Sequence, residues 1–425
     1  MIAKTFKLRF RHILLLTGGL FTLSCFTIAA QNSKEWPCFH GSDRSNKSTE
    51  TGLLKEWPKT GPQLLFTISG LGEGYSSVIS AGGFLYTEGR IGDQTAAFCF
   101  DLTGKQVWKK TCGKAWNTSL SWASTYVGSR STPTFDNGTL YLLGEGGRLT
   151  ALDAKTGNEI WSKELTFVFD APIPDYGYAE SVLIEGDNLY VRPVGKKAYL
   201  ACLNKKNGET IWMCNEIKGR EGYSSFIIKD FGGFHQVIGS SGNSYFGVEA
   251  KSGKLLWNVD FANQRDLNVA DAISYNEYVF VSSGYGKGSM LFKLKSAGKG
   301  LTTEKIWESD LMDNHHGGVI LHNGYLYGSG TNKRGWFCLD FMTGKQMWNT
   351  NGKGSITFAD GMVYTLDERG TMKLVRATPE KYECTGEFSV PKGGDSMYWA
   401  HPVVCGGRLY IRHGDKLFAY DIKAK

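Results

Sequence analysis

A chain of 425 residues (47.0 kDa), 41% apolar and 21% charged, has the balance of a folded globular protein, which excludes a largely disordered one. Its 54 glycines follow no three-residue period, which excludes collagen; with 20 tyrosines, 12 tryptophans and no long stretch at 3.6-residue spacing, they point to β structure rich in turns. The formal charge is +7, a surplus that the first thirty residues largely account for.

There, Lys4, Lys7, Arg9 and Arg11 precede an apolar run from Ile13 to Phe21, and small residues end at Ala29 and Ala30. A basic head, a short apolar core and a small-residue exit read as a secretory signal peptide over residues 1–30, cut near Ala30–Gln31. The run is too short, and too interrupted by Gly18 and Gly19, for a membrane span. A lipid anchor at Cys25 is the lesser expectation, because Thr22 stands where lipoprotein signals usually carry Leu. Taking the four leader cations from 48 basic residues, against 41 acidic ones, leaves +3. That balance, without a basic cluster, gives no case for nucleic acid. No later segment approaches the roughly 20 apolar residues of a membrane helix, so the mature chain is expected in the periplasm or outside the cell without a transmembrane segment.

After an extension over residues 31–60, one unit recurs: a strand, a tight turn and a second strand bearing Trp. It reads AFCFDLTGKQVW to Trp108, TALDAKTGNEIW to Trp161, LACLNKKNGETIW to Trp212, FGVEAKSGKLLW to Trp257 and WFCLDFMTGKQMW to Trp348. Degenerate copies end at Trp307, with a longer loop, and at Phe388. Alternating apolar residues make the strand, Thr-Gly or Asn-Gly the turn, and the return strand brings an aromatic inward. Such a hairpin cannot bury its own face, so the copies must stack. Intervals of about 40 to 53 residues, each with a second pattern such as STPTFDNGTLY or GGVILHNGYLY, suit a four-stranded blade.

Third strands end at Asp101, Asp153, Asn204, Glu249, Lys295, Asp340, Arg376 and Asp421, which gives eight blades. Leu417–Asp421 lacks a fourth strand, and Gly61–Phe66 looks like a fourth strand lacking three. The reading is an all-β, eight-bladed β-propeller of four-stranded blades over residues 61–425, closed by pairing of N- and C-terminal strands so that no sheet edge stays open.

The ALDxxTGxxxW unit resembles the pyrroloquinoline-quinone (PQQ)-like propeller repeat, shared by quinoprotein dehydrogenases and BamB-type outer-membrane assembly propellers. The opening Trp36-Pro37-Cys38-Phe39-His40-Gly41, with Gly52 to Pro58, is similar to secreted PQQ-like repeat proteins that begin W-P-x-F-R-G-P; His40 and Ser42 replace the Arg and Pro. For an alcohol dehydrogenase the resemblance implies adjacent cysteines over the quinone, and Glu, Asn and Asp ligands to calcium. The chain has no Cys-Cys pair, no matching ligand stretch and no C-x-x-C-H for a covalent haem. Sugar dehydrogenases of the soluble class lack the adjacent cysteines, so PQQ with calcium stays as an alternative. The first expectation is a non-catalytic binding or scaffolding module of the cell envelope, without cofactor, engaging a protein, small-molecule or carbohydrate partner. The alternatives are a PQQ-dependent dehydrogenase of alcohols or sugars and a BamB-like assembly factor. No catalytic residue is assigned.

Fold alone does not give function, so a site has to be located. Nine positions before the aromatic that ends each second strand stand Ser77, Thr132, Ser181, Asp271, Gly318, Ser355 and His401; Ser225 joins them through its Gly-Tyr-Ser-Ser match to the first blade. First strands line a propeller channel, so these eight should form one tier around it. Two residues earlier, on the same strand face, lie Tyr75, Arg130, Tyr223, His316 and Trp399. The functional reading is an aromatic-walled pocket at one mouth, with Arg130 for an anion and Asp271, His316 and His401 titratable. The plainer reading is a water-filled channel between converging strands. Glu180 and His315 fall out of phase and should point into a blade interface or a loop. His315 and His316 should face opposite ways, so no metal site is expected.

Trp108, Trp161, Trp212, Trp257, Trp307 and Trp348 should pack between sheets as structural anchors. Trp116 and Trp122 lie in an insertion, Lys114 to Gly128, long enough to lie over a mouth as a lid. Cys99, Cys202 and Cys338 take the Ala place of the A-L-D strand and read as buried small hydrophobes. Among Cys38, Cys112, Cys214, Cys384 and Cys405, one or two bridges are expected in an oxidising compartment.

Overall fold

Each third strand must be followed by a sharp reversal, and an Asp at its end supplies one. In the computed structural model, which describes residues 35–298 and 300–425, Asp101 Oδ1 accepts bonds from the Thr103 amide and hydroxyl and the Lys105 amide. Asp153 and Asp340 hold Thr156 and Thr343 in the same way. The glycine after the Thr takes a left-handed backbone, as at Gly157 and Gly344 (both φ +70°), which a side chain would strain.

The strands form eight antiparallel meanders. Blade one runs Ile79–Ala81, Phe84–Ile91, Gln94–Asp101 and Gln106–Lys114. The innermost strands of blades two to eight are Thr134–Asp136, Leu183–Glu185, Ile227–Phe231, Ile273–Tyr275, Val319–His322, Gly354–Ala359 and Val403–Cys405. Gln63–Ser69 pairs with Lys416–Asp421 and completes blade eight from both ends of the sequence, as the repeat count requires. One four-residue helix, Leu165–Val168, interrupts the strands. Among the described residues no helix is long and apolar enough to cross a membrane. The leader over residues 1–30, and Cys25 within it, lie outside the described residues.

A β-bulge recurs between the third and fourth strand of all eight blades, for instance between Cys99 and Phe100 and between Cys202 and Leu203. It skips the residue before each anchor, turning Val107, Ile160 and Ile211 outward and the following Trp over the next blade. Trp108, Trp161 and Trp212 each stack about 6 Å from the second-strand Tyr of their own blade. Their indole N–H groups donate to carbonyls of the next blade, at Ala154, Lys205 and Ala250. Trp307 and Trp348 reach Phe341 and Thr378 likewise. The turn glycine of the next blade lies on the indole: a Cβ on Gly157, Gly208, Gly253 or Gly344 would meet it at 2.9 Å or less. Turn and Trp therefore recur together because each turn sits on its neighbour's Trp.

Two blades depart from the scheme. Trp257 donates instead to Gln236 Oε1 within its own blade and packs edge-on to Phe292; the longer loop expected in blade five is a longer hairpin, its third and fourth strands paired out to Ala297 and Gly300. In blade seven the anchor position belongs to Gly386, not to Phe388 as the repeat reading has it: Leu374 pairs with both Tyr364 and Gly386. Trp57, from the N-terminal extension, lies over that glycine and stacks 6.0 Å from Tyr364. Trp57 thus takes the indole's place against Tyr364, while Phe388 lies on Gly61 of the next blade as the other anchors lie on their turn glycines.

Cys99, Cys202 and Cys338 are fully buried opposite the second-strand tyrosines. No disulfide is formed by these three or by Cys38, Cys112, Cys214 and Cys384, so the bridges expected from the compartment are not built among them. Even the two pairs that share a blade are out of register: Cys99 faces Trp108 rather than Cys112, and Cys202 faces Trp212 rather than Cys214.

Candidate functional site

The eight tier residues are equivalent in the structure. Each lies two positions before the residue paired with the second-strand aromatic or its equivalent, Ile79 with Tyr86 in blade one and Val403 with Tyr410 in blade eight. Their side chains tie neighbouring blades together. The Ser77 amide donates to Thr132 Oγ1 (3.0 Å), Thr132 to Ser181 Oγ (2.8 Å), Ser181 to Ser225 Oγ (3.0 Å) and Ser225 to Asp271 Oδ1 (2.6 Å). Ser77 Oγ and Ser355 Oγ donate to the carbonyls of His401 and Trp399. Short hydroxyl side chains fit because an innermost strand has no inner neighbour to receive its amides.

The axis is filled by the chain itself. Trp36 exchanges backbone bonds with Ser80 of blade one, and the Pro37 carbonyl accepts the Phe135 amide of blade two. Arg44 donates to the Ser181, Val182 and Phe226 carbonyls of blades three and four. His40 meets Asp271 of blade five and His401 of blade eight. Lys47 reaches the Leu321 carbonyl of blade six, and Asn46 bonds to Ile356 and Phe358 of blade seven. A short segment that touches all eight inner strands lies on the axis. His40, Arg44 and Asn46 hold left-handed backbone (φ 66°, 55° and 59°), strain that only dense packing sustains. Gly318 is the tier's smallest member because a Cβ there would come within 3.0 Å of His401 and 3.6 Å of His40.

At the plug's tip, Asp271, His40 and His401 form a line. His40 Nδ1 is 3.1 Å from Asp271 Oδ2, His40 Nε2 is 3.0 Å from His401 Nδ1, and His401 Nε2 is 2.7 Å from the His316 carbonyl. A carbonyl only accepts, so His401 Nε2 carries hydrogen. Burial, with His40 beside it, drives His401 down to about 3 and keeps it neutral, leaving Nδ1 an acceptor. His40 therefore donates to His401 through Nε2 and faces the Asp271 carboxyl through Nδ1.

Above the tier lies the mouth. Trp399 is flanked by Tyr75 (5.1 Å), His316 (4.7 Å) and Tyr126 (5.4 Å, nearly parallel). Tyr126 belongs to the insertion, so this segment does lie over the mouth. Arg130 holds it there: its guanidinium donates to the Tyr126, Gly128 and Tyr176 carbonyls and sits over the Tyr75, Trp116 and Tyr176 rings. Burial pushes its pKa below the usual arginine value. Tyr223 completes the wall, its hydroxyl donating to Glu221, and burial raises it well above a normal phenol. Glu145, buried near Arg130, is pushed up to about 7 by desolvation.

His315 and His316 lie in the connection before the Val319–His322 strand, with rings 5.5 Å apart; that bend brings them together rather than setting them on opposite faces. Burial pushes His316 well below its usual value and His315 down to about 4. Among the described residues no three metal-ligating side chains converge. Glu180 is buried at the interface of blades three and four, 3.2 Å from Arg192, whose guanidinium donates to the Ser224 and Ser240 carbonyls.

Sequence reasoning did not find His40, Arg44, Asn46, Tyr126 or Glu368. Glu368 gathers donors at the mouth: Lys353 Nζ (3.0 Å), Trp399 Nε1 (2.9 Å) and Arg334 (3.6 Å). The one available signal was the Trp36–Gly41 motif, which stands outside the repeats.

A family model described as outer membrane protein assembly factor BamB matches residues 92–350, more than half of the chain. The quinoprotein alcohol dehydrogenase PedH of Pseudomonas putida is 30% identical over 141 residues, 31% of this chain and 22% of that protein. The outer membrane protein assembly factor BamB of Salmonella typhimurium is 26% identical over 158 residues, 33% of this chain and 36% of that protein. The chain thus spans well under half the length of these curated relatives. The crystal structure of BamB from Moraxella catarrhalis superposes with a TM-score of 0.60 at 14% identity, covering 85% of this chain and 98% of that one, a likeness of fold alone.

Proposed function

The chain belongs to the family whose model is described as outer membrane protein assembly factor BamB, a PQQ-like propeller related also to quinoprotein dehydrogenases, and from that premise we propose a non-catalytic binding or scaffolding module of the cell envelope that works through its lidded mouth. The observation that carries this reading is the plug. It occupies the axis and leaves one channel face with clustered aromatic and charged side chains: Tyr75, Tyr126, Trp399, His316 and Glu368.

The fit to PQQ with calcium is poor. Calcium takes six to eight oxygen ligands, several of them carboxylate. Asp271 is engaged by the Ser225 amide and His40, and Glu368 by Lys353 and Trp399. A flat quinone against the indole of Trp399 would have to displace Tyr126. No step is therefore routed through a quinone. A location in the periplasm or outside the cell rests on the leader.

The test presents the purified protein, and its Trp399→Ala/Tyr126→Ala variant, to envelope oligosaccharides and to a detergent-solubilised outer-membrane assembly complex. A parallel arm adds PQQ and calcium and follows dye reduction with alcohols and sugars. Binding by wild type that the variant loses at least tenfold supports the mouth. Binding untouched by the substitutions overturns it, and PQQ-dependent turnover replaces it with the dehydrogenase reading.

A further inference from the structure

Resting on that reading of the mouth, the geometry points to a subsite for an acidic sugar between blades six and seven. A cavity of about 300 Å³ opens there, lined by Arg334, Asn351, Lys353, Asp367, Glu368 and Arg369. It is at the small end of ligand pockets, suited to one ring of a larger chain rather than a whole glycan. Its floor is built, though its rim is open: the side chains of Lys353 and Glu368 are 13% and 10% exposed and meet at 3.0 Å.

Charge selects the ligand. Three cations, Arg334, Lys353 and Arg369, face two carboxylates, Asp367 and Glu368, which leaves one positive charge for a monoanion. Asp367 Oδ1 already accepts the Arg369 and Thr371 amides, and Glu368 Oε1 is held by Lys353 and Trp399. Arg334, 62% exposed, reaches Glu368 through one terminal nitrogen at 3.6 Å, and Arg369 is exposed at the rim. Two guanidinium forks at a cavity edge suit an anion with paired oxygens, a carboxylate or a sulfate ester.

Beside this charge stand hydroxyl partners and a stacking face. His316 Nε2 is buried without a hydrogen-bond partner, 3.6 Å from Glu368 Oε1. Trp399, bound to the same carboxylate, carries the wall on toward Tyr126 and Tyr75. A sugar acid in the cavity would set the next ring of its chain against the part-exposed edge of Trp399, without entering between Trp399 and Tyr126, as an acidic oligosaccharide does and a simple inorganic anion does not.

Calorimetric titration of the full chain with trigalacturonate, a monosulfated trisaccharide and neutral maltotriose tests this. At least one acid should bind tenfold or more tighter than maltotriose, and this advantage should shrink as salt rises. Arg334→Gln/Arg369→Gln, both exposed changes, should abolish the advantage while leaving maltotriose unchanged. Preference for trigalacturonate assigns a carboxylate, and preference for the sulfated sugar a sulfate ester. Inorganic sulfate binding as tightly as either acid overturns the subsite. Acids no tighter than maltotriose overturn it too, while the mouth survives if maltotriose binding still falls in Trp399→Ala. If no binding of any kind responds to Trp399→Ala, the mouth itself is refuted.

Discussion

The rim of this ring and its axis are built on opposite plans. At the rim, one device is copied: bulge, outward aliphatic, indole on the neighbour's turn glycine. Where blade seven lacks its Trp, the device is shared out: Trp57 covers Gly386 and stacks on Tyr364, while Phe388 lies on Gly61, the glycine before the closing strand of blade eight. At the axis the tier still repeats its hydroxyl ties from blade to blade, but toward the plug no two blades contribute alike, because a single asymmetric segment meets all eight. Repetition holds where each unit faces an identical neighbour; it fails where all units face one object.

The largest expected effect is at the rim. Trp212→Ala should lower unfolding free energy by about 3 kcal/mol, the scale for removing a large aromatic. Trp57→Ala should cost a similar amount if it is a true member of the belt, and urea midpoints compare the two. A Trp57 variant close to wild type would sever the extension from the rim. Smaller is the effect of His40→Ala, which leaves Asp271 facing an empty axis at about 1–3 kcal/mol, with His40→Arg recovering most of it. Equal losses for Ala and Arg would show that the ring, not the donated hydrogen, matters there.

A graded effect, small near pH 4.5 and growing toward pH 8, concerns a buried acid. Glu88 is fully buried at the interface of blades one and two and pushed up to about 8 by desolvation, against 4.5 when free. Its Oε1 lies 2.6 Å from Ser131 Oγ, which also contacts the Leu143 carbonyl; one hydroxyl hydrogen cannot serve both, so the protonated acid completes the chain. Stability from this group is complete below pH 4.5 and is lost as pH rises through 8. Glu88→Gln should therefore match wild type in melting temperature near pH 4.5 and exceed it increasingly toward pH 8. A gap that widens toward acid instead would refute a neutral Glu88.

Blade number, the closing strand pair and the tier were legible because all three follow from a register that repeats; aligning on Tyr86, Tyr141 and their equivalents finds the innermost residues without knowing their contacts. The repeat could not reveal why the tier is hydroxylic, since the bonds run between blades. The plug was hidden for a different reason. Trp36 to Asn46 has no periodicity, and nothing local says that its partners lie at 271, 356 and 401. Phe388 was misplaced in register because the bulge in blade seven skips Thr385 and gives the anchor position to Gly386, although Phe388 still lies on Gly61 of the next blade.

The contact of His40 with His401 joins residues 361 apart in the chain. Such a closure carries a high loop entropy and cannot form until nearly all of the polypeptide is available. Residues 36–48 must wait unsatisfied while seven blades assemble, then be enclosed as the eighth is sewn shut. Refolding should thus end in a slow step that a chain lacking this segment would skip, and kinetic persistence, more than equilibrium stability, is what the late enclosure confers.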